Sequence, residues 1–290
     1  MERSFKTIAL IGKYKTPEIA EPLMQLASFL QNLGMTVVVD KLTAEHLNQN
    51  PYAVLALEDM GGKVDLAVVL GGDGTMLNIA RMLTPFKIPL VGVNQGRLGF
   101  LTDLSIDSMQ QSIAAMLRGE FVTEQRMLLA TRVLRDGTEV FRSLAFNEVV
   151  VHRSNVSSMI EFEVRINDEY LYTQRADGLI VATPTGSTAY ALSAGGAIVH
   201  PSLDVISLVP VCPHTLSNRP IVVEGESVIE ILMHRTEDVK VRFDSHTHFD
   251  LHLHDTLLVS RYPEHVCLLH PVGHSYYHTL REKLLWNKPL

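Results

Sequence analysis

Only two cysteines, Cys212 and Cys267, occur in the chain, far apart and outside any Cys-x-x-Cys spacing. Neither a disulfide framework nor a thiolate zinc site is therefore expected, and the thiols read as reduced and structural. No stretch approaches the roughly 20 consecutive apolar residues that cross a bilayer, and the opening MERSFKTIALIG carries only a short apolar run. An export signal and a membrane anchor are not expected, which points to the cytoplasm. The 25 Lys and Arg and 32 Asp and Glu are interspersed, for a net charge of -7 without any basic stripe, so stable binding to nucleic acid is not expected. Two common phosphate-binding fingerprints are also missing: the lysine-bearing G-x-x-x-x-G-K-[ST] loop and the G-x-G-x-x-G spacing.

The chain is nevertheless an ordinary globular sequence. Hydrophobic residues make up 46% of its 290 positions, enough for one large core or two smaller ones. Up to about residue 120 the pattern alternates between strand and helix. Strands are expected at Thr7 to Ile11, Val37 to Val39, Leu66 to Leu70 and Ile88 to Val93; helices at Pro17 to Leu33, after Asp73, and from Ser108 to Leu117. This alternation predicts parallel βα units, and the unbroken apolar run Leu66 to Leu70 predicts a central strand buried on both faces. From Phe121 the texture changes to polar and apolar alternation with tight turns, such as Asp136-Gly137, which predicts antiparallel strands. A helix is expected from Ser275 to Trp286. The domain expectation is thus an α/β domain over 1–122, completed by 275–290, and a β-rich domain over 123–274.

Gly71-Gly72-Asp73-Gly74-Thr75 sits between the central strand and a helix, where open α/β sheets bind ligands. Glycines there allow positive φ and let a phosphate approach bare N–H groups at a helix N-terminus. An aspartate amid them would repel phosphate unless a metal ion or an acceptor hydroxyl stood between, and that suggests phosphoryl transfer with Asp73 as the base. The alternative is a structural turn in which Asp73 caps the helix. Asn147-Glu148, inside the apolar run Leu144 to Val151, either hydrogen-bonds ligand hydroxyls or sits on a solvated edge. The segment from Arg175-Ala176-Asp177-Gly178 through Thr183 to Tyr190 either lines a nucleotide site, with Tyr190 against a base, or is a Ser/Thr-rich loop leading into a helix. His246, His248, Asp250, His252 and His254 fall on even positions; on an extended strand they would share one face, as metal ligands or as a solvated or interface surface.

With these segments in hand, the chain resembles the ATP-NAD kinase family, in its proteobacterial branch, over nearly its whole length. The carriers are Gly71-Gly72-Asp73-Gly74-Thr75-Met76-Leu77, the segment Val93 to Leu101 (VNQGRLGFL), Asn147-Glu148, and Arg175 to Gly178 through Thr183 to Tyr190. Gly-Gly-Asp-Gly alone also resembles diacylglycerol and sphingosine kinases and part of phosphofructokinases; the combined order is specific. The resemblance implies a Rossmann-like N-terminal domain, a β-sandwich C-terminal domain and a site between them. It further implies transfer of the ATP γ-phosphate to the 2′-hydroxyl of the adenosine ribose of NAD, giving NADP. Mg²⁺ or Mn²⁺ would be required, carried by ATP without direct protein ligation.

By the same resemblance Asp73 is the base, with Gly72 and Gly74 beside the nucleotide. Asn147 and Glu148 hold NAD hydroxyls, and Thr188, Ala189, Tyr190, Ala191, Leu192 and Ser193 line the adenosine side. Arg175 and Asp177 reach a neighbouring subunit's NAD, which makes a homo-oligomer, a tetramer, the expected state. The chain departs from the pattern at Asp244-Ser245-His246, where relatives carry glutamine last, and at Ser158, where relatives often carry a basic residue near the phosphates. Both positions remain in the expected NAD-binding set.

Overall fold

The structure is a computed structural model that describes residues 5–13, 17–47, 49–96, 98–154, 159–235 and 238–286. It divides into two compact units, Met1–Gln125 with Val266–Leu290, and Arg126–His265.

The first unit is built on an eight-stranded sheet. Its order is Ala53–Leu55, Thr36–Asp40, Thr7–Gly12, Leu66–Leu70, Leu90–Asn94, Val266–Pro271 and Phe121–Arg126, with Leu104–Ser105 paired to Leu90–Asn94. The first five strands are parallel neighbours in register, as in Ile8 opposite both Val37 and Leu66. Each step from Thr7–Gly12 to Ala53–Leu55 moves outward on one side; Leu66–Leu70 then pairs on the other side of Thr7–Gly12. That reversal makes the carboxyl ends of these two strands the topological switch point, where the sheet leaves a crevice. All five residues of Leu66–Leu70 are buried, as the apolar run requires of a strand covered on both faces. The helix Ala20–Asn32 buries Leu23, Leu26, Ala27 and Leu30 at three- to four-residue spacing, and Gly34 ends it at φ +82°.

The second unit is a sandwich of two six-stranded antiparallel sheets. One runs in the order Ile221–Glu224, Val205–Val211, Gly178–Ala182, Glu148–Arg153, Val239–Phe243, Thr247–Leu251; the other in the order Glu169–Ala176, Ile160–Ile166, Ile229–Arg235, Thr256–Arg261, Leu129–Arg135, Thr138–Ala145. Their inward faces share one core, in which Val149, Val151, Val181 and Val241 meet Leu129, Phe162, Ile231 and Leu257. Asp136 and Gly137 turn the expected hairpin with φ of 50° and 76°.

The boundary expected at 274/275 falls earlier. Val266–Pro271 belongs to the parallel sheet, with Leu268 opposite Leu90, so the first unit takes back a buried strand as well as the helix Tyr276–Leu284. Phe121–Arg126 likewise joins that sheet at its edge. A short apolar strand reads the same whichever sheet it enters, so pattern alone assigned Val266–Pro271 to the neighbouring run of β-strands.

Candidate functional site

Asp73 opens the helix Asp73–Leu83 directly beyond the strand Leu66–Leu70, at the switch point. Gly71, Gly72 and Gly74 do not use positive φ, contrary to the expectation for this turn. Their use is spatial. A Cβ on Gly71 would stand 2.8 Å from the Thr75 hydroxyl oxygen, whereas Gly72 and Gly74 have open space around the missing Cβ. Gly72 and Gly74 are exposed at the start of an 11-residue helix, and the N–H groups of such a helix start favour an anion.

The Asp73 side chain turns away from the helix cap into the loop 94–102. Its Oδ2 accepts the Phe100 N–H at 2.9 Å; its Oδ1 accepts the Leu101 N–H at 3.0 Å and the Thr102 hydroxyl at 3.3 Å. That loop is folded by buried Asn94, whose Oδ1 accepts the Gly96 N–H and whose amide donates to the Thr102 carbonyl. Gly99 must be glycine, because a Cβ there would lie 2.1 Å from Asp73 Oδ1. A carboxylate offers about four lone-pair sites, so Oδ2, with one donor, keeps acceptor capacity for a hydroxyl. Arg97, in the same loop, lies outside the described residues.

In the second unit, Glu148, Val150 and His152 stand at i, i+2 and i+4 of a central strand and share the face opposite the sandwich core. With Arg153, Asp177, Tyr190, Val211, Arg242, Asp244 and Ser245 they line a cavity of about 450 Å³. Asp244 follows the strand Val239–Phe243 at φ 51° and is 6% exposed. Its carboxylate accepts the backbone N–H groups of Phe146, Asn147 and Glu148 at 2.8 to 3.2 Å. The bend holding Asn147 is clamped from the other side by Thr183, whose hydroxyl donates to the Phe146 carbonyl at 2.6 Å and whose N–H donates to the Asn147 carbonyl at 2.9 Å.

Glu148 is 8% exposed, and its Oε2 has no hydrogen-bond partner. Burial, together with the nearby negative charge of Asp244, pushes its pKa from 4.5 up to about 8. The folded protein therefore holds a proton at neutral pH that the unfolded chain releases. Stability from this group is complete below pH 4.5 and is lost as pH rises towards about 8. Glu148→Gln is expected to flatten this slope, which denaturant midpoints measured across the same pH window would show. A wild-type slope in the variant would place the proton elsewhere. His152 donates its Nδ1–H to the Arg153 carbonyl at 2.8 Å, and burial lowers its pKa below the usual range. Its Nε2 is thereby left as an acceptor inside the site. Arg153 pairs with Asp177 at 3.0 Å.

The other expected residues divide in two groups. Tyr190 is 45% exposed and lines the cavity; it begins the one-turn helix Tyr190–Ser193, which covers the same sheet face through buried Ala191 against Val150, Ile180 and Val209. Thr188 ends the turn Gly186–Thr188, its hydroxyl donating to the Thr185 carbonyl at 3.1 Å, followed by Ala189; Leu192 and Ser193 complete the helix. Asp177 lines the cavity, but Arg175 does not: it lies exposed on Glu169–Ala176, 3.7 Å from Glu161. His246 is exposed, with Nδ1 3.1 Å from the Ser245 hydroxyl. Ser158 lies outside the described residues. His152, Arg153 and Arg242 were missed by sequence reasoning. The signal available was the i, i+2 spacing of His152 from Val150 and Glu148.

The even-numbered histidine face is shorter than expected. The strand ends at Leu251, because Asp255 accepts the His252 N–H at 2.8 Å while bound twice by Arg135, and His254 turns with φ 64°. Among the described residues these histidines do not bring three metal-ligand atoms together.

The ATP-NAD kinase N-terminal domain matches residues 8–121, and the ATP-NAD kinase C-terminal domain residues 146–270. A protein of Nitrosomonas eutropha named NAD kinase is 61% identical over 286 residues, 99% of this chain and 97% of its own length. One of Chromobacterium violaceum with the same name is 50% identical over the whole of both chains. Among solved structures, yeast NADH kinase complexed with NADH superposes with a TM-score of 0.90 at 26% identity, covering 99% of this chain and 89% of that one. An NAD kinase from Archaeoglobus fulgidus in complex with ATP gives 0.72 at 26% identity, covering 97% of each.

Proposed function

Because the chain belongs to the ATP-NAD kinase family, we infer that it transfers the γ-phosphate of ATP to the 2′-hydroxyl of the adenosine ribose of NAD, giving NADP and ADP. The observation that carries the mechanism is the Asp73 carboxylate at the switch point, held by the loop 94–102 beside open glycine backbone.

In this reading Asp73 takes the proton of the attacking 2′-hydroxyl at Oδ2. Backbone N–H groups at Gly72 and Gly74 and the following helix N-terminus stabilise the negative charge of the phosphoryl group. Protonated Glu148 donates a hydrogen bond to an NAD hydroxyl from its otherwise unpartnered oxygen, beside Asn147. Thr188, Ala189, Tyr190, Ala191, Leu192 and Ser193 form the adenosine side, with Ser158 and His246 completing the set. Mg²⁺ or Mn²⁺ enters with ATP. The donor set fits that, since the Asp73 carboxylate already accepts three hydrogen bonds. When bound, such an ion would offset negative charge on the triphosphate.

The reading includes a cytoplasmic homo-oligomer, a tetramer, in which Arg175 and Asp177 serve a neighbouring subunit's NAD. Exposed Arg175, Tyr170 and Leu171 on the edge strand Glu169–Ala176 support such an interface. No helix among the described residues is long and apolar enough to cross a membrane. A panel of acceptors with Mg²⁺-ATP tests the substrate: phosphorylation of NAD, with diacylglycerol, sphingoid base and hexose left unmodified, is expected. Turnover of a lipid or sugar without NADP formation would overturn the reading.

A further inference from the structure

Away from the residues assigned to nucleotide binding, four ionisable side chains meet in the first unit. His270 stands near the end of Val266–Pro271, and Glu124 on Phe121–Arg126. Asp103 precedes Leu104–Ser105, and His274 lies in the turn before the helix Tyr276–Leu284. Asp103 Oδ2 is 3.0 Å from Nδ1 of His270 and 3.0 Å from Nδ1 of His274, while His270 Nε2 is 3.1 Å from Glu124 Oε2. The two imidazoles stack with centroids 3.9 Å apart. Asp103 Oδ1 and His274 Nε2 are buried and have no hydrogen-bond partner.

We propose that Asp103, His270 and His274 form a site for one transition-metal ion of the Zn²⁺ class, with Glu124 orienting His270. One ligand atom from each of the three lies within 4.8 Å of the others; a single ion with bonds of about 2.0–2.2 Å to nitrogen and oxygen would draw them to within about 4.4 Å. Imidazole and carboxylate are ligands suited to Zn²⁺. The contact from His270 Nε2 to Glu124 is the arrangement that fixes a metal-bound histidine, its second nitrogen donating to a carboxylate. The unpartnered Asp103 Oδ1 supplies a further oxygen at the same point.

Charge also favours an ion. Two carboxylates, Asp103 and Glu124, flank His270 at 3.0 and 3.1 Å. A divalent cation with neutral imidazole ligands balances both carboxylates. Entry of the ion requires the stacked rings to turn so that each plane contains it; the His274 side chain is 15% exposed. Asp103 directly follows Thr102, so an occupied site ties the loop that cradles Asp73 to the strand Val266–Pro271.

The test uses the full chain, stripped by chelator and free of nucleotide, titrated with Zn²⁺ by calorimetry and with Co²⁺ by visible absorption. One ion per chain is expected, with the intense visible bands of four-coordinate Co²⁺. His274→Asn and Asp103→Asn should each abolish that site, and Glu124→Gln should weaken it about 10- to 100-fold. A combined His246→Ala, His248→Ala variant should retain it. Should either ligand variant fail to fold, the Glu124→Gln affinity and the Co²⁺ bands decide the matter. The proposal is overturned if the wild-type chain takes up no ion. It is equally overturned if folded ligand variants bind as wild type, or if binding disappears with the exposed-histidine variant instead.

Discussion

Asp73→Asn should lower kcat by roughly 100-fold or more, because general base catalysis by a positioned carboxylate contributes about 10²–10⁴-fold. An amide cannot take up the hydroxyl proton. Loss of a group acting only in the transition state lowers kcat and kcat/KM together and leaves KM for NAD near its wild-type value. The hydrogen bonding predicts a cost in stability as well. The carboxylate accepts from Phe100, Leu101 and Thr102 through both oxygens. The amide has one oxygen, so its NH₂ group must face at least one donor of the loop 94–102. A stability loss of about 1 kcal/mol is expected in addition, since a donor left without an acceptor costs about 1–3 kcal/mol when buried and this loop is only partly so. Single-turnover rates with saturating ATP, together with a denaturation curve, separate the two effects. Turnover at the wild-type rate would rule out a base role for Asp73.

The largest stability effect is expected from Asp244→Ala. The variant removes a carboxylate that holds three backbone N–H groups at the bend before Glu148. Those N–H groups cannot all find new partners at a position only 6% exposed, and with each buried orphan costing about 1–3 kcal/mol the total loss should be about 3 kcal/mol or more. Part of this is offset, because the Asp244 charge is one of the two causes that raise the Glu148 pKa. The Glu148 pKa should fall towards its ordinary value in the variant, and the pH slope of stability should become shallower. A shift of the urea midpoint at unchanged m-value measures the first effect. A midpoint within experimental error of wild type would show that the bend does not depend on Asp244.

These two carboxylates also mark how far the sequence could be read. Leu66–Leu70 and the start of the next helix at Asp73 were legible, because an apolar run ending in glycine has few alternatives, but the positive φ expected of the turn glycines is absent. The fold class was legible from the change of period near Phe121. The hydrogen-bond partners of Asp73 were not, since Phe100 and Leu101 donate through backbone groups that any residue carries. Asp244 was noticed only as the start of a departure from a familiar motif. Its partners lie 96 to 98 positions away, and no local pattern reports a carboxylate that binds main chain across two strands. The histidines misled for a similar reason: the even-numbered run 246–254 has strand spacing, but Asp255 turns the chain at its end. His270 and His274, by contrast, meet Asp103 only through sheet assembly.

The most direct measurement is the position of phosphorylation. Purified protein with Mg²⁺-ATP and NAD should form NADP and ADP in equal amounts, and an NAD analogue lacking the adenosine 2′-hydroxyl should give no phosphorylated product. Equal transfer to that analogue, or ATP turnover in the presence of NAD without NADP, would contradict the account.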